Sequence, residues 1–380
     1  MFGDVVEKLR RSKELLIQTA SVSEFQEAQN ARLFITREFE AQRERDEKGQ
    51  RLSVVEWLSH VTCHSQHEEL QERRRVFPST TRWVFDTIAT REWFRNDDKS
   101  GLILYVYGIP GAGEPLLNGI EIDVSWMLIM QIGKTFLFNS IVDEIGEKAP
   151  TSDVVYFYCK ESEPSRRTFN EIARSLIGQL LALNPVYLDY LYEKTLKSGE
   201  RIPTSTHLCK DILKSLTANH EKLFIGLDGL DECEESERRH VLDSIHGILN
   251  SSSTKRNVKI FLTSRKEKDI GESIGSAISL EIKPYHLKQD IKYYVQVRVS
   301  ELSRKFSLSM DEKESISKDV AKRSSGKWDM TTISLTVDNC YPGMFLLARL
   351  IMDNLIDQDF PYELVEELRS EVLPKGIDEA

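Results

Sequence analysis

The 380-residue sequence has no run of eighteen or more apolar residues, and Met1-Phe2-Gly3-Asp4 passes directly into a charged amphipathic pattern. Neither a membrane span nor a signal peptide is therefore expected. Positive charge is also short: 51 Lys and Arg stand against 61 Asp and Glu, for a net charge of −10 and a pI near 5.5. That balance argues against a general nucleic-acid binder, which needs clustered cations to displace counterions. Cysteine is sparse, with Cys63, Cys159, Cys209, Cys233 and Cys340 scattered and odd in number. Such usage suits a reducing compartment and gives a cytoplasmic expectation. Cys63, His64 and His67 lie close together, but no second ligand pair follows at a zinc-like spacing, so they read as a polar linker. Arg73-Arg74-Arg75 reads as a solvated helix face. Internal repeats are absent.

What is there is an ordinary globular composition, 40% hydrophobic and 29% charged. Residues 4 to about 75 are rich in Glu, Arg, Gln and Leu, with Val5, Leu9, Leu15 and Leu16, then Phe34 and Phe39, then Val54, Trp57 and Leu58 at helical spacings. They predict helices, with heptads too short-lived for a long coiled coil. Beyond Pro78 to Ser100, which carries Trp83 and Trp93, four short β-rich runs follow: Leu102 to Tyr107, Val154 to Cys159, Leu223 to Leu227 and Val258 to Thr263. Amphipathic stretches such as Phe169 to Leu183 and Glu237 to Asn250 alternate with them. That alternation predicts a three-layer α/β domain around a parallel sheet. No strand signal returns after about residue 284, so the expected division is a helical region 1–75, an α/β domain 76–283 and a helical module 284–380.

The chemistry sits at the strand ends. The first strand runs into Gly108-Ile109-Pro110-Gly111-Ala112-Gly113, and Gly133-Lys134-Thr135 appears twenty residues later ahead of the helical stretch Phe136 to Ile145. Joined, they read G-I-P-G-A-G-K-T, a complete phosphate-binding Walker A loop of the P-loop NTPases. Its glycines let backbone N–H groups turn around phosphates, Lys134 would neutralise the β and γ phosphates, and Thr135 would ligate Mg²⁺. Leu223-Phe224-Ile225-Gly226-Leu227-Asp228 supplies the apolar strand ending in acid that completes such a site, with Asp228 holding the metal. Asp231 or Glu232 would then orient the attacking water. Lys259-Ile260-Phe261-Leu262 ends in Thr263-Ser264-Arg265, where Arg265 would sense the γ-phosphate.

The order Walker A, LFIGLDGLDEC, IFLTSR resembles the NACHT family of STAND signalling ATPases. Val54-Val55-Glu56-Trp57-Leu58, Ser79-Thr80-Thr81-Arg82-Trp83 and Trp93 are similar to the nephrocystin-like N-terminal module of fungal receptor-like proteins of that family. The likeness covers roughly residues 50–380. It implies ATP (or GTP) with Mg²⁺ driving a switch between closed and assembled states, with slow hydrolysis or hydrolysis used as a reset. It also implies self-association and protein partners through helical regions, no nucleic acid and no membrane. Lys283-Pro284-Tyr285-His286-Leu287 and Asp290-Ile291-Lys292-Tyr293-Tyr294 resemble the start of the family's helical lid, which makes His286 a candidate nucleotide contact. The family's sensor repeats would lie beyond Ala380, so the chain reads as a switch without its sensor.

Two segments break the pattern. Glu114 to Ile132 lacks Lys and Arg, carries an apolar tail Trp126-Met127-Leu128-Ile129-Met130 and splits the phosphate loop. Closing a loop of that length costs only about 2–3 kcal/mol. The amides, however, could no longer converge on one anion. Lys327 to Pro342 likewise separates Ser324-Ser325-Gly326 from Met344-Phe345-Leu346-Leu347-Ala348-Arg349-Leu350. Both begin with residues that splice donors encode (Gly113-Glu114, Gly326-Lys327) and end on acceptor-compatible pairs (Ile132-Gly133, Pro342-Gly343). Residues 113–132 and 326–342 thus read as retained introns, against the alternative of a true insertion in a degenerate, nucleotide-free scaffold.

Overall fold

A computed structural model describes residues 2–78, 80–95, 101–108, 134–251, 258–324, 344–358, 360, 362 and 364. Pro110, Gly111, Gly113 and Gly133 lie outside the described residues, as do the segments 113–132 and 326–342. The chain divides into two compact units, residues 1–57 with 186–202, and residues 58–185 with 203–380. The first holds most of α1 (Phe2–Leu58) and α7 (Tyr187–Ser198). The expected N-terminal helices are thus mainly one 57-residue helix. Val5, Leu9, Leu16, Phe34 and Phe39 on it are exposed, whereas Val54 and Trp57 are buried.

The second unit is built on five parallel strands: β1 (Ile103–Gly108), β2 (Asp153–Tyr158), β3 (Leu223–Asp228), β4 (Val258–Arg265) and β5 (Ile278–Ile282), in the order β2-β3-β4-β1-β5. Every residue of β3 is buried, and in β4 all but the last. This explains the apolar runs Leu223–Leu227 and Ile260–Leu262, since a strand covered on both faces has no side to expose. β5 carries no such run. Ile278-Ser279-Leu280-Glu281-Ile282 alternates at the sheet edge, a pattern too short to stand out in the sequence.

Alternation along β3 assigns the helices to faces. Ile225 and Leu227 point into an apolar layer with α6 (Phe169–Leu183), α8 (Thr206–Ala218) and α9 (Glu235–Leu249), where Ile172, Leu176, Leu213 and Val241 meet them. Phe224 and Gly226 point the other way, toward α4 (Ile88–Arg95) and α5 (Lys134–Lys148), so three layers form. Gly226 is required there: a Cβ would fall 2.8 Å from the ring of Phe138 on α5 and closer still to Phe261 on β4. Those two rings pack with centroids 4.8 Å apart. Local signals also set the helix starts, as Thr168 and Ser205 accept from the backbone N–H groups of Glu171 and Leu208.

α2 (His64–Val76) docks on α5 through buried polar groups rather than forming a polar linker. His67 is 5% exposed, with Nδ1 2.7 Å from the Tyr158 hydroxyl and Nε2 3.1 Å from Asp143 Oδ1. Arg74 donates to Asn139 at 2.7 Å and pairs with Asp143 at 2.5 Å. The central arginine of the basic run therefore faces inward, because α5 presents a carboxylate that must be neutralised. Burial pushes the Asp143 carboxyl up, but hydrogen bonds from His67 and Gln71 and the charge of Arg74 outweigh it and hold the group below the ordinary range.

After β5 the second unit continues in helices α11 (Pro284–Phe306), α12 (Met310–Ser324) and α13 (Met344–Asp357). They share an apolar core that includes Ile291, Val295, Leu302, Val320, Ile351 and Leu355. Phe77, just after α2, packs on Tyr294 of this core with centroids 5.2 Å apart. Among the described residues, no helix is long and apolar enough to cross a membrane.

Candidate functional site

The strand order places a switch point between β1 and β4. From β1 the chain travels to the far edge at β2, and from β4 it crosses β1 to the opposite edge at β5. Open parallel sheets offer their binding crevice at such a point, beyond the carboxyl ends of the strands. Gly108 and Arg265 are register partners there, closing β1 and β4. Asp228 ends β3, and Lys134 and Thr135 open α5.

Asp228 is the hub. It is 3% exposed, and Thr135 Oγ1 donates to its Oδ2 at 2.7 Å. The Thr263 hydroxyl donates to Oδ1 and also accepts from the backbone N–H of Gly229 at 3.1 Å. Burial pushes the Asp228 carboxyl up to about 6 against the hydrogen bonds from Thr263 and Thr135 and the charge of Lys134. The chain then turns through Gly229 at φ 66°, where a Cβ would sit 3.1 Å from Glu232 Oε1. That left-handed turn admits glycine readily and most other residues only with strain.

The turn carries Asp231 and Glu232 in a short 3₁₀ segment, Leu230–Glu232. Asp231 accepts from the backbone N–H of Arg265 at 2.9 Å and pairs with its Nε at 3.2 Å. Glu232 accepts from the backbone N–H of Glu161, beyond the end of β2, at 3.0 Å. Burial, helped by the charges of Asp228 and Asp231, pushes the Glu232 carboxyl up to about 7. A carboxyl poised there suits proton transfer near neutral pH.

Gly108, Lys134, Thr135, Asp228, Asp231, Glu232 and Arg265 thus gather at one end of the sheet. Arg265 is turned onto Asp231 in this conformation. His286 lies in the first turn of α11. Its Nδ1 accepts from the Lys283 N–H, and its ring stacks on Trp83 with centroids 4.3 Å apart. Beside it, Asp290 accepts from Trp83 Nε1 and from the Thr81 N–H, and the Thr81 hydroxyl donates to or accepts from Ser140 on α5.

Thr263 was missed by sequence reasoning, which singled out only Arg265 in Thr263-Ser264-Arg265. A hydroxyl residue closing an otherwise apolar strand was the available signal, because such a side chain needs a partner when buried.

Residues 126–265 match a family model described as nephrocystin 3, N-terminal. Across a wider stretch, the vegetative incompatibility protein HET-E-1 of Podospora anserina is 22% identical over 233 residues, covering 59% of this chain. Both likenesses are to NACHT-like modules. Lys134, Thr135, Asp228, Asp231, Glu232 and Arg265 lie within the matched residues, while Gly108 precedes them and His286 follows. The chain spans about 15% of the length of HET-E-1.

Proposed function

We propose that this chain is the nucleotide switch of a signalling protein, binding ATP with Mg²⁺ where Gly108–Ala112 runs directly into Gly133-Lys134-Thr135. The convergence of Thr135, Asp228 and Thr263 beside Lys134 at the switch point of the sheet carries this reading. The donors there are hydroxyls and carboxylates, the hard oxygens that Mg²⁺ prefers. Thr135 and Asp228 would hold the metal, which would neutralise phosphate charge. Lys134 would pair with the phosphates, and Glu232 or Asp231 would orient water for slow hydrolysis. GTP would occupy the same cradle.

On this reading residues 76–283 form the nucleotide domain, 284–380 its helical lid, and 1–75 a helical region for self-association or protein partners in the cytoplasm. The similarity to a vegetative incompatibility protein supports a signalling role over a metabolic one. His286, stacked on Trp83, would be a further nucleotide contact. The interrupting residues 113–132 favour a second reading, a nucleotide-free scaffold. Thermal unfolding with and without Mg²⁺-ATP separates the two. A switch with a continuous loop is stabilised by several degrees, and that gain is lost in Lys134→Ala. A scaffold shows no shift in either form.

A further inference from the structure

A cleft of about 690 Å³ opens at the opposite end of the sheet, lined by Ser152 ahead of β2, Lys222–Phe224 at the start of β3 and Lys259 at the start of β4. Leu223 and Asp228 stand five residue steps apart on the strand, about 17 Å at ~3.3 Å per step, so this is a different site from the one described above. Its volume lies within the range of small-molecule pockets.

In a chain of net charge −10, this cleft collects Arg91, Arg95, Lys148, Lys222 and Lys259 against one lining carboxylate, Asp86. Some of that charge is already engaged. Lys259 is buried and donates to the carbonyls of Trp93 and Phe94 at 3.0 Å, offsetting the carbonyl end of α4. Lys148 pairs with Glu144 at 2.6 Å, and Arg91 with Asp86 at 3.4 Å. Arg95 and Lys222 add two exposed cations at the rim. Among the described residues the excess is therefore positive once these pairs are counted, and low-dielectric walls concentrate such a field.

The wall is aromatic. Phe85 and Phe94 line the cleft, and the Lys148 ammonium sits 5.2 Å and 5.6 Å from their ring centroids. A flat ring resting on these phenyl groups would bring its anionic substituents against Lys148, Arg95 and Lys222. We propose that this cleft binds a small aromatic polyanion, one planar ring system carrying two or more phosphate or sulfonate groups.

The test uses the full chain in a Lys134→Ala background, so that binding at the candidate nucleotide site does not contribute. The probe is pyrenetetrasulfonate, a fluorescent planar polyanion, followed by anisotropy. Saturable one-to-one binding is expected, weakened by about tenfold or more in Arg95→Glu/Lys222→Glu, since both substitutions turn an attraction for the anion into a repulsion. Both substituted side chains are exposed, and a Lys214→Glu/Lys288→Glu control of equal charge change, at exposed sites outside the cleft, is expected to bind as the parent does. Absence of saturable binding, or equal loss in both double variants, would overturn the proposal. Tighter displacement of the dye by a poly-glutamate peptide than by adenosine 3′,5′-bisphosphate would overturn it too, assigning the cleft to an acidic protein segment.

Discussion

Replacing Asp228 with Asn should stabilise the chain while abolishing metal-dependent nucleotide binding. Burial lifts the carboxyl from about 4 in an unfolded chain to about 6 in the fold. Between those values the folded state binds the extra proton, so this group's contribution to stability falls as pH rises through the window. At pH 7.5 the ionised side chain then costs on the order of 2–3 kcal/mol relative to its protonated form. Asn keeps the shape without the charge: one of the Thr135 and Thr263 hydroxyls goes on donating to the amide oxygen while the other turns to accept from the amide N–H. Imperfect geometry reduces the gain, leaving about 1–2 kcal/mol, or roughly 2–8 °C in the unfolding temperature of a unit this size. Urea unfolding of both proteins at pH 7.5 and pH 5 measures it, with the advantage expected at pH 7.5 and largely gone at pH 5. An Asp228→Asn protein less stable than its parent at pH 7.5 would refute the reasoning, because the carboxylate would then be satisfied by its neighbours alone.

Gly226→Ala should destabilise by about 1–3 kcal/mol, since the added methyl meets the rings of Phe138 and Phe261 in a closed layer; calorimetry without nucleotide reads the shift. His67→Leu should cost about 2–4 kcal/mol by leaving Asp143, Tyr158 and Asn139 short of a buried partner, and denaturant unfolding should show His67→Gln recovering part of the loss. Mg²⁺-nucleotide stabilisation should fade as pH drops through the interval between about 7 and about 6, where Glu232 and then Asp228 take up protons in competition with the cation; thermal shifts at fixed Mg²⁺ across pH 5–8 should trace that loss.

Much of the core was legible because β3 and β4 are buried on both faces, and Leu223–Leu227 and Ile260–Leu262 show it as apolar runs. Asp228 stood out because it closes the first run behind a phosphate-loop sequence, an acidic turn after a strand being commonplace by itself. The partnerships that cross between distant segments were not. Nothing local tells that Arg74 meets Asp143, that Trp83 stacks on His286, or that Asp290 caps Thr81, because each pair is joined only by the fold. β5 escaped because an edge strand needs only one apolar face, and five residues give that alternation little weight. The extent of α1 was hidden by its weak periodicity, its long exposed stretch carrying apolar and charged residues without a sustained heptad.

The most direct measurement is equilibrium binding of a fluorescent ATP analogue, with and without Mg²⁺, to the full chain, to the chain lacking residues 113–132, and to the shortened chain carrying Lys134→Ala. The account predicts Mg²⁺-dependent binding by the shortened chain, loss with Lys134→Ala, and at most weak binding by the full chain. A shortened, folded chain that ignores the nucleotide, or binds it equally well without Lys134, would contradict it.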